Sequence, residues 1–164
     1  MEGRHATDHE VKYVLSMKRV YLDVCCLNRP FDDQEQERIH LESEAVRFIL
    51  RHIRLGKVVW VGSSVLDLEI NRTLDIEKRD SVLALTAELT EKILATENEI
   101  ERAKVLETLG FRAMDALHLS CAEKAGADIF LTVDDKLIKK SEMNIDKLQV
   151  RVENPVTWLQ EVIK

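Results

Sequence analysis

The sequence predicts an α/β domain built on a parallel sheet, because strand-like and helix-like segments alternate along the chain. Three short apolar segments have the composition of buried strands, namely RVYLDVCCL, KVVWVG and DIFLTV. The segments between them place apolar residues at helical spacing. Such alternation is typical of right-handed βαβ units, whose helices cover both faces of a parallel sheet. We therefore expect a three-layer α/β/α sandwich with the sheet in the middle.

The first half of the chain is predicted to contain two strands and three helices. Its elements are a strand over 19–27, a helix over 34–55, a strand over 57–62, a helix over 64–74 and a helix over 77–96. Gly56 suits the turn that ends the first of these helices, because glycine accepts a positive φ angle. Ser63 or Ser64 suits the N-cap of the helix that follows the second strand.

The second half is predicted to contain two strands and four helices. Thr96 and Glu99 form a capping-box pattern that begins a helix ending near Gly110. Asn154 and Pro155 form an N-cap followed by proline, which is a common start of a helix. The elements between these two helices are a helix within 112–127, a strand over 128–133, a short helix over 135–140 and a strand over 149–152.

The length and the cysteine content limit the classes of protein to which this chain can belong. The 164 residues fit one domain, in which residues 17–164 form the folded unit and residues 1–16 look like an N-terminal extension that need not be native. Three cysteines, two of them adjacent, make a poor disulfide framework and favour a reducing, cytoplasmic compartment. No apolar run approaches the roughly 20 residues of a membrane span, so we expect no membrane partner.

The net charge of −6 has the wrong sign for a protein that binds nucleic acid by neutralising phosphates. Either the protein binds no nucleic acid, or its negative charge is concentrated where metal ions neutralise it and a basic rim holds the substrate. The candidates for such a rim are Arg29, Arg72, Arg112, Lys136, Lys139 and Lys140. Solvated surface explains each of them equally well, so net charge alone does not decide between the two explanations.

Acidic residues stand near the predicted ends of strands, where open parallel sheets place their sites. They are Asp23 in the first strand, Asp67 and Glu69 on the helix after the second, Asp115 at the start of the helix before the third, and Asp134 and Asp135 directly after the third. Clustered carboxylates repel one another and need a cation or protons at neutral pH. An all-oxygen donor set favours Mg²⁺ or Mn²⁺, and a carboxylate-bound metal suits phosphodiester hydrolysis.

Each acid also has a purely structural explanation. A structural hydrogen bond would explain Asp23, because an unpaired buried carboxylate is costly. Glu69 on its own is typical of a solvated helix face, and Asp115 of a first-turn acid that interacts favourably with the helix dipole. Asp134 is suited to the N-cap of the short helix that follows it. The acids taken together indicate a site more strongly than any one of them does.

Three segments of the chain resemble the acidic motifs of the PIN-domain family: YLDVCCLNR, SSVLDLEI and DALHLSCAEKAGADIFLTVDDKL. The resemblance runs from about residue 17 to residue 164 and is most specific in the third segment. It implies a PIN-like sandwich and a metal-dependent nuclease that cuts RNA, leaving a 5′-phosphate and a 3′-hydroxyl. Many members are the toxin half of VapBC-type toxin–antitoxin pairs, so the resemblance also implies an antitoxin partner and a homodimer. The helices over 34–55 and 77–96 would serve either as a dimer surface or as core-facing helices.

The resemblance also implies roles for individual residues. Asp135 is an auxiliary metal ligand, and Thr132 matches a hydroxyl residue that positions the last acid or a water. The four acids of the family, which are both metal ligands and catalytic residues, correspond in chain order to Asp23, Glu69, Asp115 and Asp134.

Two features depart from the family pattern. The family usually has Asn or Ser shortly after the first acid, whereas this chain has Val24-Cys25-Cys26. The stretch between the first two acids is also long, and its Glu42 or Glu44 competes with Glu69 for the second position. We prefer Glu69 because its helix follows a strand directly.

His118 and the cysteines have less specific patterns. His118 lies three residues after Asp115 on the same helical face, which suits a metal ligand or a base. The small apolar residues around it favour packing instead. Cys25, Cys26 and Cys121 are likewise interpreted as small buried residues.

Two other classes of function stay open. The first is a PIN-like scaffold without catalysis that acts as a binding or regulatory partner, although retention of all four acids argues against it. The second is a phosphohydrolase for small molecules, which the lack of an Asp-x-Asp pattern in the first strand disfavours. Metal titration distinguishes the scaffold from the nuclease, because an inert scaffold need not bind manganese.

Overall fold

The computed structural model describes residues 17–163, which form a parallel sheet of five strands flanked by helices. The strands are β1 (Lys18–Leu22), β2 (Val58–Ser63), β3 (Glu91–Ile93), β4 (Ile129–Leu131) and β5 (Arg151–Glu153). The helices are α1 (Val24–Asn28), α2 (Glu37–Arg54), α3 (Ser64–Asn71), α4 (Ile76–Thr86), α5 (Glu97–Thr108), α6 (Ala113–Lys124), α7 (Asp135–Met143) and α8 (Pro155–Ile163). The predicted α/β sandwich with a central parallel sheet is confirmed. The predicted extension over 1–16 lies outside the described residues.

The strand order β3-β2-β1-β4-β5 places β1 at the centre of the sheet. Val20 of β1 pairs with Trp60 of β2 on one side and with Ile129 of β4 on the other. The chain first adds β2 and β3 to one side of β1 and then returns to add β4 and β5 to the other. In sheets of this kind a crevice opens where the direction reverses, at the carboxyl ends of the two strands concerned. Here those ends belong to β1 and β4.

The core consists of strands that are apolar on both faces, together with the inner faces of the helices. Tyr21, Trp60 and Phe130 are completely buried in the sheet, and the rings of Tyr21 and Phe130 stack with centroids 5.1 Å apart. Helix α2 packs against β2 and α8, and α5 packs against α6. Burial on both faces explains why the strands lack the alternation of polar and apolar residues that half-exposed strands show. No helix within 17–163 combines the length and the apolar character needed to cross a membrane.

The predicted first strand over 19–27 was too long. It ends at Leu22, because the side chain of Asp23 accepts a hydrogen bond from the Val24 N–H and caps the short helix α1. The composition VCCL suits a buried helix as well as a buried strand, so its apolar character could not reveal the change of element. Asp23 therefore lies at the carboxyl end of β1 and not in the interior of a strand.

The predicted helix over 77–96 was also wrong in its second half. Helix α4 ends at Thr86. Glu91–Ile93 form strand β3, which the sequence did not predict and which pairs with β2. Leu89, which leads into this strand, packs over Gly62, where an added Cβ would lie only 2.6 Å from the Leu89 side chain. A three-residue edge strand depends on its neighbour for hydrogen bonds, so its own residues carry little evidence of it.

Most of the predicted helix ends are confirmed by their capping residues. Ser63 caps α3 by accepting a hydrogen bond from the Leu66 N–H, and Thr96 with Glu99 forms the predicted capping box of α5. Gly56 follows α2 with a φ angle of +70°. Helix α8 begins at Pro155, as predicted. These ends were predictable because the bonds that form them join residues only a few positions apart.

Candidate metal centre

Asp23 lies at the carboxyl end of β1, beside the crevice of the sheet. Its backbone N–H donates to the Leu131 carbonyl over 2.9 Å, so it continues the ladder between β1 and β4. Its Oδ1 accepts the Val24 N–H over 2.9 Å. The side chain is only 6% exposed in spite of its charge. Burial raises the pKa of Asp23 above its ordinary value, and the nearby Glu69 carboxylate adds to this rise.

Two side chains hold the other carboxylate oxygen of Asp23. The Thr132 hydroxyl donates to Oδ2 over 2.8 Å, and the Cys25 thiol donates to the same oxygen over 3.4 Å. The Thr132 oxygen also accepts the Asp134 N–H over 3.2 Å. Thr132 thus links the first and last acids of the predicted set. Cys25 lies where the resemblance implied Asn or Ser, so it does more than fill space and its interpretation as a merely buried small residue was incomplete.

Glu69 reaches the same crevice from the last turn of α3. Its carboxylate, that of Asp23 and a ring nitrogen of His118 offer atoms that all lie within 4.8 Å of one another. His118 Nε2 is 2.6 Å from Glu69 Oε2, and His118 Nδ1 is 2.6 Å from the hydroxyl of Tyr21. Glu69 is therefore held in place rather than solvated as an isolated helix residue would be.

Asp115 lies in the first turn of α6, close enough to the other acids for their charges to affect its pKa. Partial burial raises its pKa to about 6, and the charges of Asp23 and Asp134 contribute to the rise. Asp115 therefore lies close enough to Asp23 and Asp134 for their charges to act on it. The Asp115 carboxylate accepts no hydrogen bond from a donor within 17–163, so a bound cation would stabilise its charged form.

Asp134 and Asp135 follow β4 but face different surroundings. Asp134 caps α7 by accepting the Lys136 and Leu137 N–H groups, and it lines a small cavity of about 70 Å³ together with Asp115. Asp135 is exposed and forms a two-pronged ion pair with Arg38, with both distances 2.7 Å. This pair lowers the pKa of Asp135. Its predicted role as an auxiliary ligand stays a prediction, and the structure pairs it with Arg38 instead of with the other acids.

The acids that competed with Glu69 are engaged elsewhere. Glu42 is buried, and its oxygens accept hydrogen bonds from Arg29, Arg38 and Asn154 at 3.0, 3.3 and 2.6 Å. Glu44 lies on the exposed side of α2. The structure therefore places Glu69, and neither alternative, beside Asp23. A third acid that the sequence pointed to on α3, Asp67, is ion-paired with Lys92.

The proposed basic rim divides into engaged and unengaged side chains. Arg29 pairs with Asp32 and Glu42, and Lys140 donates to the Gly110 carbonyl. Among the arginines of the described chain, Arg72 and Arg112 are the two whose side chains have no polar, ionic or ring partner. Arg72 is the C-cap of the helix that carries Glu69, and Arg112 is the N-cap of the helix that carries Asp115.

The sequence interpretation underestimated His118. Its surroundings are small and apolar as expected, but both of its ring nitrogens are hydrogen-bonded and one contacts Glu69. Tyr21 and Ser63 complete this chain of contacts. From the sequence, Tyr21 was predicted only as part of a strand and Ser63 only as a helix cap. The spacing of His118 after Asp115 was the one pattern that pointed to it.

Comparison with known proteins adds information on the fold. No protein-family model matches the sequence, and no curated protein does. A solved chain that is similar comes from the crystal structure of VapBC2 from Rickettsia felis bound to a DNA fragment from their promoter, with a TM-score of 0.53 at 16% identity. The match covers 83% of this chain and 98% of that one. The two chains share a fold. At this identity the likeness carries the PIN-like architecture and leaves the function to the residues themselves.

The donor set fits a hard divalent cation. Asp23 and Glu69 offer carboxylate oxygens a few ångströms apart, and burial together with the charges of Asp23 and Asp134 raises the pKa of Asp115 to about 6. Oxygen ligands of this kind suit Mg²⁺ or Mn²⁺ better than they suit zinc, which is usually held by nitrogen or sulfur. The residues present are therefore chemically able to hold such an ion.

Proposed function

We propose that this protein is an endoribonuclease that depends on Mg²⁺ or Mn²⁺ and hydrolyses RNA phosphodiesters at the cluster of Asp23, Glu69, Asp115 and Asp134. The observation that carries the proposal is the crowding of these acids: oxygens of Asp23 and Glu69 lie within 4.8 Å of each other, and the pKa of nearby Asp115 is raised to about 6. Carboxylates crowded at the crevice of a parallel sheet repel one another, and that arrangement destabilises the protein unless a cation binds there. The PIN-like fold and the acidic motifs support the same activity.

In this proposal Asp23, Glu69, Asp115 and Asp134 bind the metal. Hydrogen bonds from neighbouring residues orient several of these acids. When bound, the metal supplies Lewis-acid activation of water and stabilises charge that develops at the phosphate. The Val24 N–H and the Thr132 hydroxyl fix the two oxygens of Asp23. The first N–H groups of α7 fix Asp134. The chain thus presents oriented carboxylates at a half-open crevice, and the expected products carry a 5′-phosphate and a 3′-hydroxyl.

Positive charge at the edge of the crevice supports a polyanionic substrate. A protein of net charge −6 binds a polyanion only if cations are concentrated at the site. Arg72 and Arg112 flank the acids and have no competing partner within 17–163, and Lys136 lines the same small cavity as Asp115. These side chains are available to contact the phosphates on either side of the one that is cut.

The biological role that we propose is that of a toxin held inactive by an antitoxin. The similar solved chain belongs to VapBC2, which was crystallised with promoter DNA. We infer that this chain has a VapB-like partner whose Arg or Lys side chain enters the acidic crevice, and that it forms a homodimer. The chain itself provides a half-open acidic crevice that such a cation would neutralise.

The test is cleavage of a mixed RNA pool by the purified protein, in the presence of Mn²⁺ or of EDTA. We expect cutting with Mn²⁺, none with EDTA, and a loss of at least about 100-fold in the Asp115→Asn variant, because one metal ligand loses its charge. Asp146→Asn makes the same chemical change at an exposed position away from the cluster and serves as the matched control.

Each result has a definite meaning. Equal cutting by Asp115→Asn and the parent would show that Asp115 has no catalytic role. A protein that binds Mn²⁺ but leaves the pool intact would have a narrow substrate or would lack a partner needed for cutting, and a set of defined RNAs would test the first of these. A protein that neither cuts RNA nor binds Mn²⁺ would be an inert PIN-like scaffold, and the nuclease proposal would be wrong.

A further inference from the structure

A buried chain of hydrogen bonds leads from the core to the acidic cluster. Ser63 Oγ lies 2.7 Å from Tyr21 Oη, and Tyr21 Oη lies 2.6 Å from His118 Nδ1. His118 Nε2 in turn lies 2.6 Å from Glu69 Oε2. Ser63, Tyr21 and His118 are completely buried, whereas Glu69 is half-buried at the crevice. The rigid packing of the core is therefore connected directly to one carboxylate of the cluster.

The proton positions along this chain follow from what each group can donate or accept. The Glu69 carboxylate only accepts, so the proton between it and His118 belongs to Nε2. A neutral imidazole then has a lone pair on Nδ1, which accepts from Tyr21. Burial raises the pKa of Tyr21 well above its ordinary value, so its hydroxyl keeps the proton that it donates. Ser63 donates to Tyr21, while its oxygen accepts the Leu66 N–H.

We propose that His118 is a positioning residue that orients Glu69 and is not itself a metal ligand, and that Tyr21 holds the imidazole ring through its other nitrogen. The distances alone would allow His118 to bind the same ion as Asp23 and Glu69, because the three groups lie within 4.8 Å of one another. To bind a metal, however, a ring nitrogen must present a lone pair, and both nitrogens are already engaged. The inference rests on the proposed metal site, although the hydrogen bonds that carry it exist without metal.

The consequence for Glu69 is a fixed orientation. A glutamate side chain has several rotatable bonds, and binding a metal through a mobile carboxylate costs conformational entropy. The bond from His118 holds Oε2, and the other carboxylate oxygen, which no donor within 17–163 contacts, is left to accept an ion. Partners of this kind that sit behind a ligand typically change metal affinity by about 10- to 100-fold.

The first test reads the protons on His118 directly. Long-range ¹H–¹⁵N spectra of protein labelled at histidine distinguish a protonated ring nitrogen from an unprotonated one, and loss of the signals in His118→Gln assigns them. We expect Nε2 to be protonated and Nδ1 unprotonated, both without metal and with saturating Mg²⁺. Loss of the Nε2 proton when Mg²⁺ binds would identify His118 as a ligand and overturn the proposal. So would a metal-free ring that carries its single proton on Nδ1.

The second test is a double-mutant cycle on Mn²⁺ affinity, measured by electron paramagnetic resonance. His118→Leu should weaken binding by about 10- to 100-fold, and His118→Gln, whose amide can still donate to Glu69, should recover much of the loss. In the Glu69→Ala background His118→Leu should have no further effect, since the residue that it orients is gone. A further loss of similar size in that background would mean that His118 binds the ion independently, which contradicts the proposal.

The folding of each variant is measured separately, and none of these measurements depends on catalysis. The thermal unfolding of each variant shows whether it folds. If His118→Leu does not fold, Tyr21→Phe replaces it in the cycle, because this milder change removes only the hydroxyl that donates to His118 Nδ1. Tyr21→Phe should leave the proton on Nε2, because the Glu69 carboxylate still accepts it, and should weaken Mn²⁺ binding, because the ring loses its second hydrogen bond. An unchanged Mn²⁺ affinity would refute the role of Tyr21. No readout uses RNA, so a failure of the nuclease proposal remains distinguishable from a failure of this one.

Discussion

Thr132 donates its hydroxyl hydrogen to Asp23 Oδ2 over 2.8 Å, and this bond joins the carboxyl ends of two adjacent strands. The two residues are 109 positions apart in the chain, and both are buried. The same threonine oxygen accepts the Asp134 N–H. One hydroxyl group thereby connects the first acid of the cluster to the backbone of the last, at the place where the sheet reverses its direction of growth.

Replacing Thr132 by valine should therefore weaken both the fold and the metal site. The change keeps the shape of the side chain but leaves Asp23 Oδ2 with the thiol of Cys25 as its only donor in the described chain. We expect a loss of about 1–3 kcal/mol in the free energy of unfolding and about 10- to 100-fold in Mn²⁺ affinity. Chemical denaturation and Mn²⁺ titration measure these effects. Thr132→Ser keeps the hydroxyl and should behave like the parent; equal losses in both variants would argue against the hydrogen bond as the cause.

Asp115→Asn should stabilise the protein when metal is removed. The pKa of Asp115 is raised to about 6 in the folded state from an ordinary 3.8, so the folded state binds this proton more tightly than the unfolded state does. The associated stability is present below about pH 4 and is lost as the pH rises through 6. Near pH 7 in EDTA we expect the variant to be more stable than the parent by on the order of 1 kcal/mol, and near pH 4 we expect no difference.

Denaturation at several pH values measures this difference, and Mn²⁺ provides the counter-test. Saturating metal binds the parent more tightly than the variant, so the order of stability at pH 7 should reverse. Asp146→Asn should show neither effect. A variant that is less stable than the parent in EDTA at pH 7 would mean that Asp115 makes a structural contact that outweighs the repulsion.

Glu99→Gln should destabilise the domain through helix α5. Burial pushes the pKa of Glu99 upwards, but hydrogen bonds from Thr96 and Lys124 outweigh burial and bring it to about 2. A lowered pKa contributes stability above about pH 4.5 that is lost as the pH falls towards 2. We expect the variant to lose about 0.5–2 kcal/mol at pH 7 and progressively less at lower pH. Urea unfolding at pH 7 and pH 3 tests this, with Glu97→Gln in the same helical turn as control. A loss independent of pH would exclude the ionised carboxylate as its source.

Arg72→Gln and Arg112→Gln should weaken RNA binding without unfolding the protein. Each variant removes one exposed cation near the acids, so the dependence of log affinity on log salt concentration should become shallower by about 0.7 for each phosphate that the protein no longer neutralises. Binding is measured by fluorescence anisotropy in the Asp115→Asn background, so that the RNA is not cut. Arg79→Gln removes a half-buried arginine that is already ion-paired with Asp80 and should leave binding unchanged. If all three variants bind equally well, neither arginine contacts the substrate.

Much of the candidate site was predictable because its acids occur near element ends. Asp115 begins a helix and Asp134 begins another, and each of these positions depends on residues a few places away, whereas Asp23 was predicted inside a strand that ends just before it. The choice between Glu69 and Glu42 was not predictable in the same way. Both are helical acids, and only their partners distinguish them: Glu42 is bonded to Arg29, Arg38 and Asn154, and Glu69 to His118.

By itself, the sequence determined the order of the elements, their caps and the parallel α/β class, because hydrophobic periodicity and capping act over a single turn or strand. The tertiary structure alone decided what depends on contacts between distant segments. It made Glu91–Ile93 a strand through pairing with β2, and it placed Asp23 beside β4 through the bond from its N–H to the Leu131 carbonyl. It also made His118, which the sequence suggested was a packing residue, a partner of Glu69. A buried polar ring has no water to bond, so its hydrogen-bond partners must lie within the protein.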